Sequence, residues 1–414
     1  MGITELNVDL TDEQKSLRDT ARKFFREVWR PASIMLDSLP SAADVIKDDS
    51  VLWDVFRKTR ELGYHKMSIP QEFGGLGMQD PLASAILNEE MGYAAPGIAV
   101  GWAVNGSPFN YAMLSTDPDV RDLVRQYCED TDVKMKMTGC WAITEPDHGS
   151  DWILFEGENA TNPACGGQVK AVLDGDEYVI NGQKAAWVSN GTIAAYAALF
   201  LNLDSSKGQE GGGIAVVPLS LPGVSRGKPL EKLGQRDLNQ GEIFFDNVRI
   251  PKSMMIVLDP ATYTLAINGQ LAGANMWMGC IFSGTAHSAF DEALKYSRER
   301  IQGGRPIFEH QNIKLKLFDM FTSVEAARSL SRRAWIYNAK QRAAMQSQAL
   351  EYSIASKILG TETAFRVASQ AVQIFGGNGL SKEYVIEKIF RDARAAMIED
   401  GVNETLALLG ANRL

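Results

Sequence analysis

The sequence predicts a mainly helical α+β protein in which an antiparallel β-sheet domain lies between two helical domains. Three observations support this prediction. Apolar residues recur at helical spacing up to about residue 137. Short β-rich runs separated by turn signals occupy residues 138–258. Long helical patterns with few prolines return from residue 259 to 414. We therefore expect three domains, at 1–137, 138–258 and 259–414.

The first domain is predicted from helix caps, periodicity and breaks. Thr11 and Gln14 form a capping-box pattern, in which each side chain satisfies an unpaired helix N–H. A single apolar face follows, and Pro31 is expected to end that helix. The glycine-rich segment Ile69–Gly77 predicts a turn. Two further helices are predicted, Trp53–Leu62 and Pro81–Tyr93.

The middle domain begins with a hairpin signal. The β-rich runs Val169–Leu173 and Tyr178–Ile180 flank the turn sequence Asp174-Gly175-Asp176-Glu177. Three more strands are predicted, at Tyr196–Leu203, Gly213–Pro218 and Glu242–Ile250. In the third domain the longest helical patterns are Ala289–Arg300, Asn312–Gln346 and Glu351–Phe375.

Composition excludes several classes of function. The net charge of −9 disfavours nucleic acid as the main partner, because like charges repel. Four widely spaced cysteines and four histidines predict neither a metal site nor a disulfide framework. No apolar stretch reaches the roughly 18 residues of a membrane span. The start has no signal-peptide pattern, so we expect a cytoplasmic protein.

Four segments carry residues suited to binding a cofactor and to proton transfer. Alone, the first two fit an ordinary Pro/Gly/Ser turn and a strand with a core tryptophan. The third fits a charged helix end, and glycines like those of the fourth often cap a helix. The segments are Trp141–Asp151, Asn181–Gly191, Arg298–Pro306, and Gln373–Gly379 with the following Arg391–Gly401.

Together, in this order and spacing, these segments resemble the acyl-CoA dehydrogenases, FAD-dependent flavoenzymes that remove two hydrogens from an acyl thioester. The resemblance extends from the Thr11 helix to Leu414. It implies a C-terminal four-helix bundle behind the sheet domain, and a place in fatty-acid or organic-acid degradation. It further implies a homo-oligomer, commonly a dimer of dimers (a homotetramer), and electron-transferring flavoprotein as the electron acceptor.

The resemblance assigns cofactor contacts residue by residue. Thr144 would hydrogen-bond the polar edge of the flavin, Trp187 would cover its face and Ser189 would donate toward N5. Arg300 would bind the FAD pyrophosphate, since a guanidinium pairs with two oxygens at once. The loop that starts at Gln373 would reach the FAD of a neighbouring subunit. The full cofactor set is Trp141, Ile143, Thr144, Gly149, Ser150, Trp187, Ser189, Arg300, Gln302, Gln311, Gln373, Gly376 and Gly377.

The resemblance places the catalytic base at Asp400, where glutamate is usual in the family. The base takes the α-proton while a hydride passes from the β-carbon to flavin N5. Because Asp is one methylene shorter than Glu, three hypotheses follow. Asp400 is the base with a closer substrate, Glu399 takes over that role, or the enzyme performs a modified reaction such as a desulfinase-like elimination.

Further residues bear on the substrate. Asn275 stands where an arginine near the base is common in the family. The neighbouring Met276 has a flexible side chain that can adapt to an unusually shaped acyl group. For both residues, ordinary helix packing is the alternative interpretation. The predicted substrate-binding residues are Ser150, Asn275, Met276 and Gly401. A branched, cyclic or aryl-substituted acyl-CoA is expected. An acyl carrier protein thioester, a flavin monooxygenase-like activity, and a non-enzymatic partner subunit remain alternatives, and no metal is predicted.

Overall fold

The computed structural model describes residues 3–132, 136–153 and 158–414. Its first region is helical, as predicted. Thr11 caps the first helix and makes both hydrogen bonds of the capping box with Gln14. The helices are α1 (Asp12–Phe24), α2 (Arg30–Ser38), α3 (Val51–Glu61), α4 (Pro81–Ala94), α5 (Pro96–Asn105), α6 (Ser107–Ala112) and α7 (Pro118–Glu129).

The expectation that Pro31 ends the first helix is wrong. The chain stays helical to Ser38, through a π-helical turn at Phe25–Trp29 that joins α1 to α2. Pro31 lies in the first turn of α2. A first-turn N–H needs no partner within its own helix, so the proline removes no bond that α2 requires.

The described residues of the middle region form one sheet of eight strands, and the predicted hairpin is present. Leu173 pairs with Tyr178 and Asp174 with Glu177 across the turn. The strands are β1 (Gly139–Ala142), β2 (Lys170–Asp174), β3 (Glu177–Lys184), β4 (Tyr196–Asn202), β5 (Gly212–Pro218), β6 (Val224–Arg226), β7 (Ile243–Pro251) and β8 (Met255–Val257). Their order is β6-β7-β3-β2-β4-β5-β8, with β1 also beside β4. The expected purely antiparallel sheet is corrected, because β1 and β2 run parallel to β4.

The last region contains the four-helix bundle. The short helix α8 (Glu158–Thr161) precedes it within the sheet region. The bundle helices are α9 (Pro260–Glu299), α10 (Gln311–Ala343), α11 (Leu350–Phe375) and α12 (Val385–Ala396), followed by α13 (Asn403–Ala411). Two short strands, β9 (Ile301–Gln302) and β10 (Arg305–Pro306), link α9 to α10.

Helix α9 is much longer than the predicted Ala289–Arg300 because its glycines lie at close contacts. A Cβ on Gly279 would stand 2.0 Å from the Ser356 side chain of α11. One on Gly284 would stand 2.0 Å from the Glu89 carbonyl of α4. These glycines let the helices approach each other instead of breaking α9.

One hydrophobic core joins the first and last regions. It runs from Ala21 in α1, through α3, α4 and α5, to Ala396 at the end of α12. Ion pairs reinforce the union, since Arg332 of α10 binds both Glu5 and Glu89 at 2.6–2.8 Å. A second core lies within the sheet, and a third joins the sheet to α6, α7, α9, α11 and α13. Across residues 3–132, 136–153 and 158–414, no helix combines the length and apolar character that a membrane crossing requires.

Candidate functional site

The loop of residues 397–402, between α12 and α13, carries Asp400 in an unusual backbone conformation. Asp400 has φ 51° and Gly401 has φ 97°, so two consecutive residues are left-handed. A non-glycine residue there costs about 1 kcal/mol. Such conformations persist where the surroundings impose them, and they cluster at functional sites.

Two contacts from other elements hold this loop. The Val402 N–H donates to Ser150 Oγ at 2.9 Å, which ties the loop to the turn after β1. The Lys357 ammonium of α11 donates to the Gly401 carbonyl at 2.7 Å. A side chain at 401 would meet Ile153 at 2.6 Å, so the loop fits closely against the sheet region.

The surroundings of the Asp400 carboxylate make it more basic than an aspartate in water. Burial raises the pKa of Asp400 to about 6, against the opposing attraction of the Lys357 ammonium. Within the described ranges, no group hydrogen-bonds this carboxylate, and none accepts from the backbone N–H of Asp400. Asp400 therefore offers both an acceptor for a proton and a free N–H donor.

Glu399, by contrast, is tied into a buried polar network. Burial raises the pKa of Glu399 to about 7, against the hydrogen bond from Gln235 and the charge of Lys232. Gln235 Nε2 donates to Glu399 Oε2 at 2.7 Å, and its backbone N–H donates to Asp392 Oδ1 at 2.5 Å. Gln235 is itself left-handed, with φ 49°. The two neighbouring carboxylates thus differ. A hydrogen bond holds that of Glu399, whereas that of Asp400 is available to accept a proton.

The first two predicted cofactor segments lie side by side. The Ala185 N–H donates to the Thr144 carbonyl at 2.9 Å. Buried Lys184 reaches back to the Ile143 carbonyl at 2.9 Å and to Glu145 Oε1 at 2.7 Å. Burial lowers the pKa of Lys184 to about 8, against the attraction of Glu145. This pair joins β1 and β3 into one surface.

The turn between Thr144 and Ser150 is fixed by its own polar residues. Asp147 accepts from Gln168 Nε2 at 2.6 Å, and His148 Nδ1 pairs with Asp151 Oδ2 at 2.7 Å. The Gly149 N–H donates to Asp151 Oδ1 at 2.6 Å. A Cβ on Gly149 would meet no atom of the described residues within 4 Å, so none of these residues packs against this turn.

The side chains around these segments fit a planar polar cofactor. Trp187 is 58 % exposed, so it is not the sheet-core aromatic that a lone tryptophan suggests. Trp141 Nε1 is buried and has no acceptor among the residues that the structure describes. Ser189 Oγ accepts from Gln240 Nε2 at 3.2 Å, which leaves the hydroxyl proton of Ser189 to donate elsewhere. An exposed ring, an orphaned donor and a free hydroxyl suit a bound flavin.

The remaining predicted cofactor residues lie at the far end of the bundle. All are exposed: Arg300, Gln302, Gln311, Gln373, Gly376 and Gly377, here called the bundle-end cluster. Tyr296 of α9 fixes the end of α11 beside Gly376, because its ring stacks on Phe375 at 3.9 Å and its hydroxyl donates to the Phe375 carbonyl at 3.3 Å.

One chain does not bring its two sets of cofactor residues together. Gln373 is sixteen residues beyond Lys357 on α11, which is about 24 Å at 1.5 Å per residue. Lys357 contacts the 397–402 loop, so Asp400 lies near one end of that span and the bundle-end cluster at the other.

The predicted substrate residues are only partly assembled. Ser150 and Gly401 meet at the 397–402 loop. Asn275 is buried in α9, where its amide donates to the Leu271 carbonyl at 2.9 Å and its Oδ1 has no partner. Met276 packs with Ala85, Cys280 and Trp335 in a small core cluster. The structure places neither Asn275 nor Met276 in contact with Asp400, so their substrate role stays a prediction.

Sequence reasoning missed Lys357, Gln235, Lys232 and Gln240, which surround Asp400, Glu399 and Ser189. A charged residue on the buried face of α11 was the available signal for Lys357, since unpaired lysines are rarely buried. In the described ranges, no group of acidic, histidine or cysteine residues is suited to hold a metal ion.

Three protein-family models match successive parts of the chain. They are Acyl-CoA dehydrogenase, N-terminal domain, at residues 11–116; middle domain, at 140–248; and C-terminal domain, at 265–414. The matches follow the order of the helical region, the sheet and the bundle.

Individual proteins align over nearly their full lengths. The probable acyl-CoA dehydrogenase YngJ of Bacillus subtilis is 30 % identical over 99 % of this chain and 100 % of its own. The cyclohex-1-ene-1-carbonyl-CoA dehydrogenase of Syntrophus aciditrophicus is 28 % identical over 98 % and 91 %. The structure of butyryl-CoA dehydrogenase from Megasphaera elsdenii superposes with a TM-score of 0.83, at 26 % identity over 99 % of both chains.

Proposed function

The chain belongs to the acyl-CoA dehydrogenase family, and from this we propose that it removes two hydrogens from the α- and β-carbons of an acyl-CoA thioester, with FAD as acceptor. The single observation that best supports the proposal is the state of Asp400. Its carboxylate is desolvated, unpaired within the described ranges and fixed beside the flavin segments.

Asp400 acts as the base in this proposal. A carboxylate can take the weakly acidic α-proton on an oxygen when burial has made it more basic than in water. The free backbone N–H of Asp400 would donate to the thioester carbonyl and stabilise the charge that develops there. Glu399 is less suited, because Gln235 already donates to its carboxylate at 2.7 Å.

FAD, when bound, supplies the acceptor for the hydride that leaves the β-carbon. Trp141, Ile143, Thr144, Trp187 and Ser189 would hold its ring in the same chain as Asp400. Gly149 and Ser150 would border its phosphates or the CoA chain, while the Ser150 hydroxyl keeps the Val402 N–H in place.

A second copy of the chain would complete the cofactor site. The bundle-end cluster is exposed and about 24 Å along α11 from Lys357, so it would serve the FAD of a partner. We infer a homo-oligomer, a dimer of dimers by family resemblance. Electron-transferring flavoprotein is the proposed acceptor of the electrons, and the three domains are proposed at 1–137, 138–258 and 259–414.

The proposed substrate carries a branched, cyclic or aryl-substituted acyl group. Aspartate withdraws the carboxylate by about 1.5 Å relative to glutamate, and a misplacement of about 1 Å can cost ~100-fold in rate. An acyl group shaped to approach closer would restore the distance. The 28 % identical cyclohex-1-ene-1-carbonyl-CoA dehydrogenase is consistent with a ring.

Anaerobic titration of the purified flavoprotein tests the proposal. Butyryl-CoA, isovaleryl-CoA, cyclohexanecarbonyl-CoA and 3-phenylpropionyl-CoA, each with a hydrogen on its α-carbon, are added while the visible spectrum is recorded. We expect bleaching of the flavin by a branched, cyclic or aryl acyl group and weaker bleaching by butyryl-CoA. Retained FAD without bleaching by any thioester would contradict a dehydrogenase. A protein that cannot be loaded with FAD would contradict the flavin site.

A further inference from the structure

Lys357 is a fully buried lysine whose ammonium points at the 397–402 loop. Its Nζ donates to the Gly401 carbonyl at 2.7 Å and to Asn403 Oδ1 at 2.6 Å. Both acceptors are neutral, and no carboxylate in the part of the chain that the structure describes accepts a hydrogen bond from the ammonium. Burying a charge in this way is costly. A residue that only filled space in α11 would not need the charge.

The contacts of Lys357 coincide with the strained part of the loop. They fall on Gly401 and Asn403, just after Asp400, whose φ is 51°. Thr361, one turn further along α11, accepts from Asn403 Nδ2 at 3.2 Å and fixes that amide. The Asn403 oxygen is thereby turned toward Lys357. The loop conformation that presents Asp400 thus depends on α11.

The charges around Lys357 come from three elements. Burial lowers the pKa of Lys357 to about 8, against the attraction of Asp400, Glu399, Glu404 and Glu362. These acids lie on the loop, on α13 and on α11 itself. For Asp400, burial raises the pKa and, among the described residues, the charge of Lys357 lowers it. Because Lys357 donates to the carbonyl of the next residue, Gly401, its charge lies close enough to Asp400 to act on it.

We propose that Lys357 is the positioning residue of the base: its two hydrogen bonds set the place of Asp400, and its charge sets the protonation of Asp400. The proposal rests on the proposed function, in which Asp400 takes the α-proton. A lysine that merely staples the loop would hold the backbone without changing when Asp400 ionises. The two roles can be separated by measurement.

Two substitutions separate charge from hydrogen bonding. Lys357→Met removes both, whereas Lys357→Gln keeps an N–H donor for the Gly401 carbonyl. Lys340→Met, at an exposed lysine of α10, controls for the loss of one positive charge. The pKa of Asp400 is read from its infrared carboxylate band, isolated by subtracting the spectrum of Asp400→Asn in the same background. The pH dependence of kcat/KM is recorded in parallel.

We expect the Asp400 midpoint to rise from about 6 by about one unit in both Lys357 variants, the usual size of an effect from a nearby opposite charge. The acid limb of kcat/KM should move up equally. Lys357→Met alone should also lose rate at high pH. Unchanged Asp400 midpoints in both variants, whatever happens to thermal stability, would overturn the proposal.

A third variant covers the case in which the Lys357 variants do not fold. Asn403→Asp keeps Lys357 and places a carboxylate against its ammonium, which neutralises its effect on Asp400. It should raise the Asp400 midpoint while keeping the protein folded, and no rise would contradict the proposal. The infrared readout needs no substrate, so failure of the acyl-CoA titration would sink the proposed function without deciding the role of Lys357.

Discussion

The two ends of α11 differ in how far one chain completes them. Near Lys357, the loop that carries Asp400 is held by hydrogen bonds to Ser150 and to Lys357 of α11. Near Gln373, the bundle-end cluster is exposed. The stacking of Tyr296 on Phe375 fixes only the end of α11 next to it. The first end is packed against other elements of the same chain, whereas the side chains of the second end are exposed.

We infer from this difference that the proton-transfer half of the proposed site belongs to a single chain, while its cofactor half is shared between chains. Burial tunes a carboxylate only where the chain itself excludes water. Binding groups for a phosphate can stay exposed until a partner arrives, because an arginine in water keeps its charge.

The largest effect on activity is expected from a change at Asp400, near the Lys357 end of α11. Asp400→Asn should keep FAD bound but slow anaerobic flavin reduction by the preferred acyl-CoA by about 10²–10⁴-fold, the range for loss of a general base. Stopped-flow absorbance in the flavin band measures this rate. Glu399→Gln is the matched control, and its loss should be under tenfold. A reversed order would make Glu399 the base.

The second prediction tests whether Asp400 of one chain and Arg300 of another form one site, and the experiment mixes two variants. Asp400→Asn and Arg300→Ala homo-oligomers should each be nearly inactive, the latter through loss of FAD. Refolded together at equal amounts, they should recover about a quarter of wild-type activity, because half of the dimers then hold one intact site. That site combines Asp400 of one chain with Arg300 of the other.

The double variant Asp400→Asn/Arg300→Ala mixed with wild type serves as the control. Its hybrid dimers place one defect in each site, so they should add nothing beyond the wild-type homodimers. Absence of recovery in the first mixture would mean that Arg300 and Asp400 serve the same site within one chain.

The smallest effect concerns stability and pH. The folded pKa of Asp400, about 6, lies above its ordinary 3.8, so its contribution to stability is full below pH 3.8 and is lost as pH rises through 6. Asp400→Asn should therefore gain about 1 kcal/mol more stability at pH 8 than at pH 5. Thermal unfolding of the holoenzyme at both values measures this. Lys340→Met, at an exposed lysine of α10, keeps Asp400 and the proposed cofactor residues, so its effect on stability relative to wild type should be the same at both pH values.

Local sequence patterns were enough to predict the parts of the fold whose contacts join residues close together in the chain. The capping box of Thr11 and Gln14 and the hairpin turn at Gly175 each depend on neighbours within a few residues. The length predicted for α9 from the sequence was too short. The reason is that its glycines pack against Ser356 and Glu89, which lie far away in the chain. The parallel pairing of β1 with β4 is non-local in the same way.

In the candidate site, too, the residues with local sequence signals could be predicted and the long-range contacts could not. Asp400 could be located from the order of its neighbours, but the contact of Lys357 with Gly401 spans 44 residues and leaves no local pattern. The orientation of Ser189 depends on Gln240, 51 residues further on. Such contacts follow from packing, which a linear pattern does not encode.

The core shared by the first and last regions has a consequence for biosynthesis. Arg30 bonds Ser288, 258 residues later, and translation at about 5–20 residues per second takes roughly 13–50 s to cover that gap. During this time α1 to α5 leave the ribosome with their apolar faces uncovered. We expect holdase chaperones to bind this nascent region, and FAD to be captured only after α9 to α12 have been made.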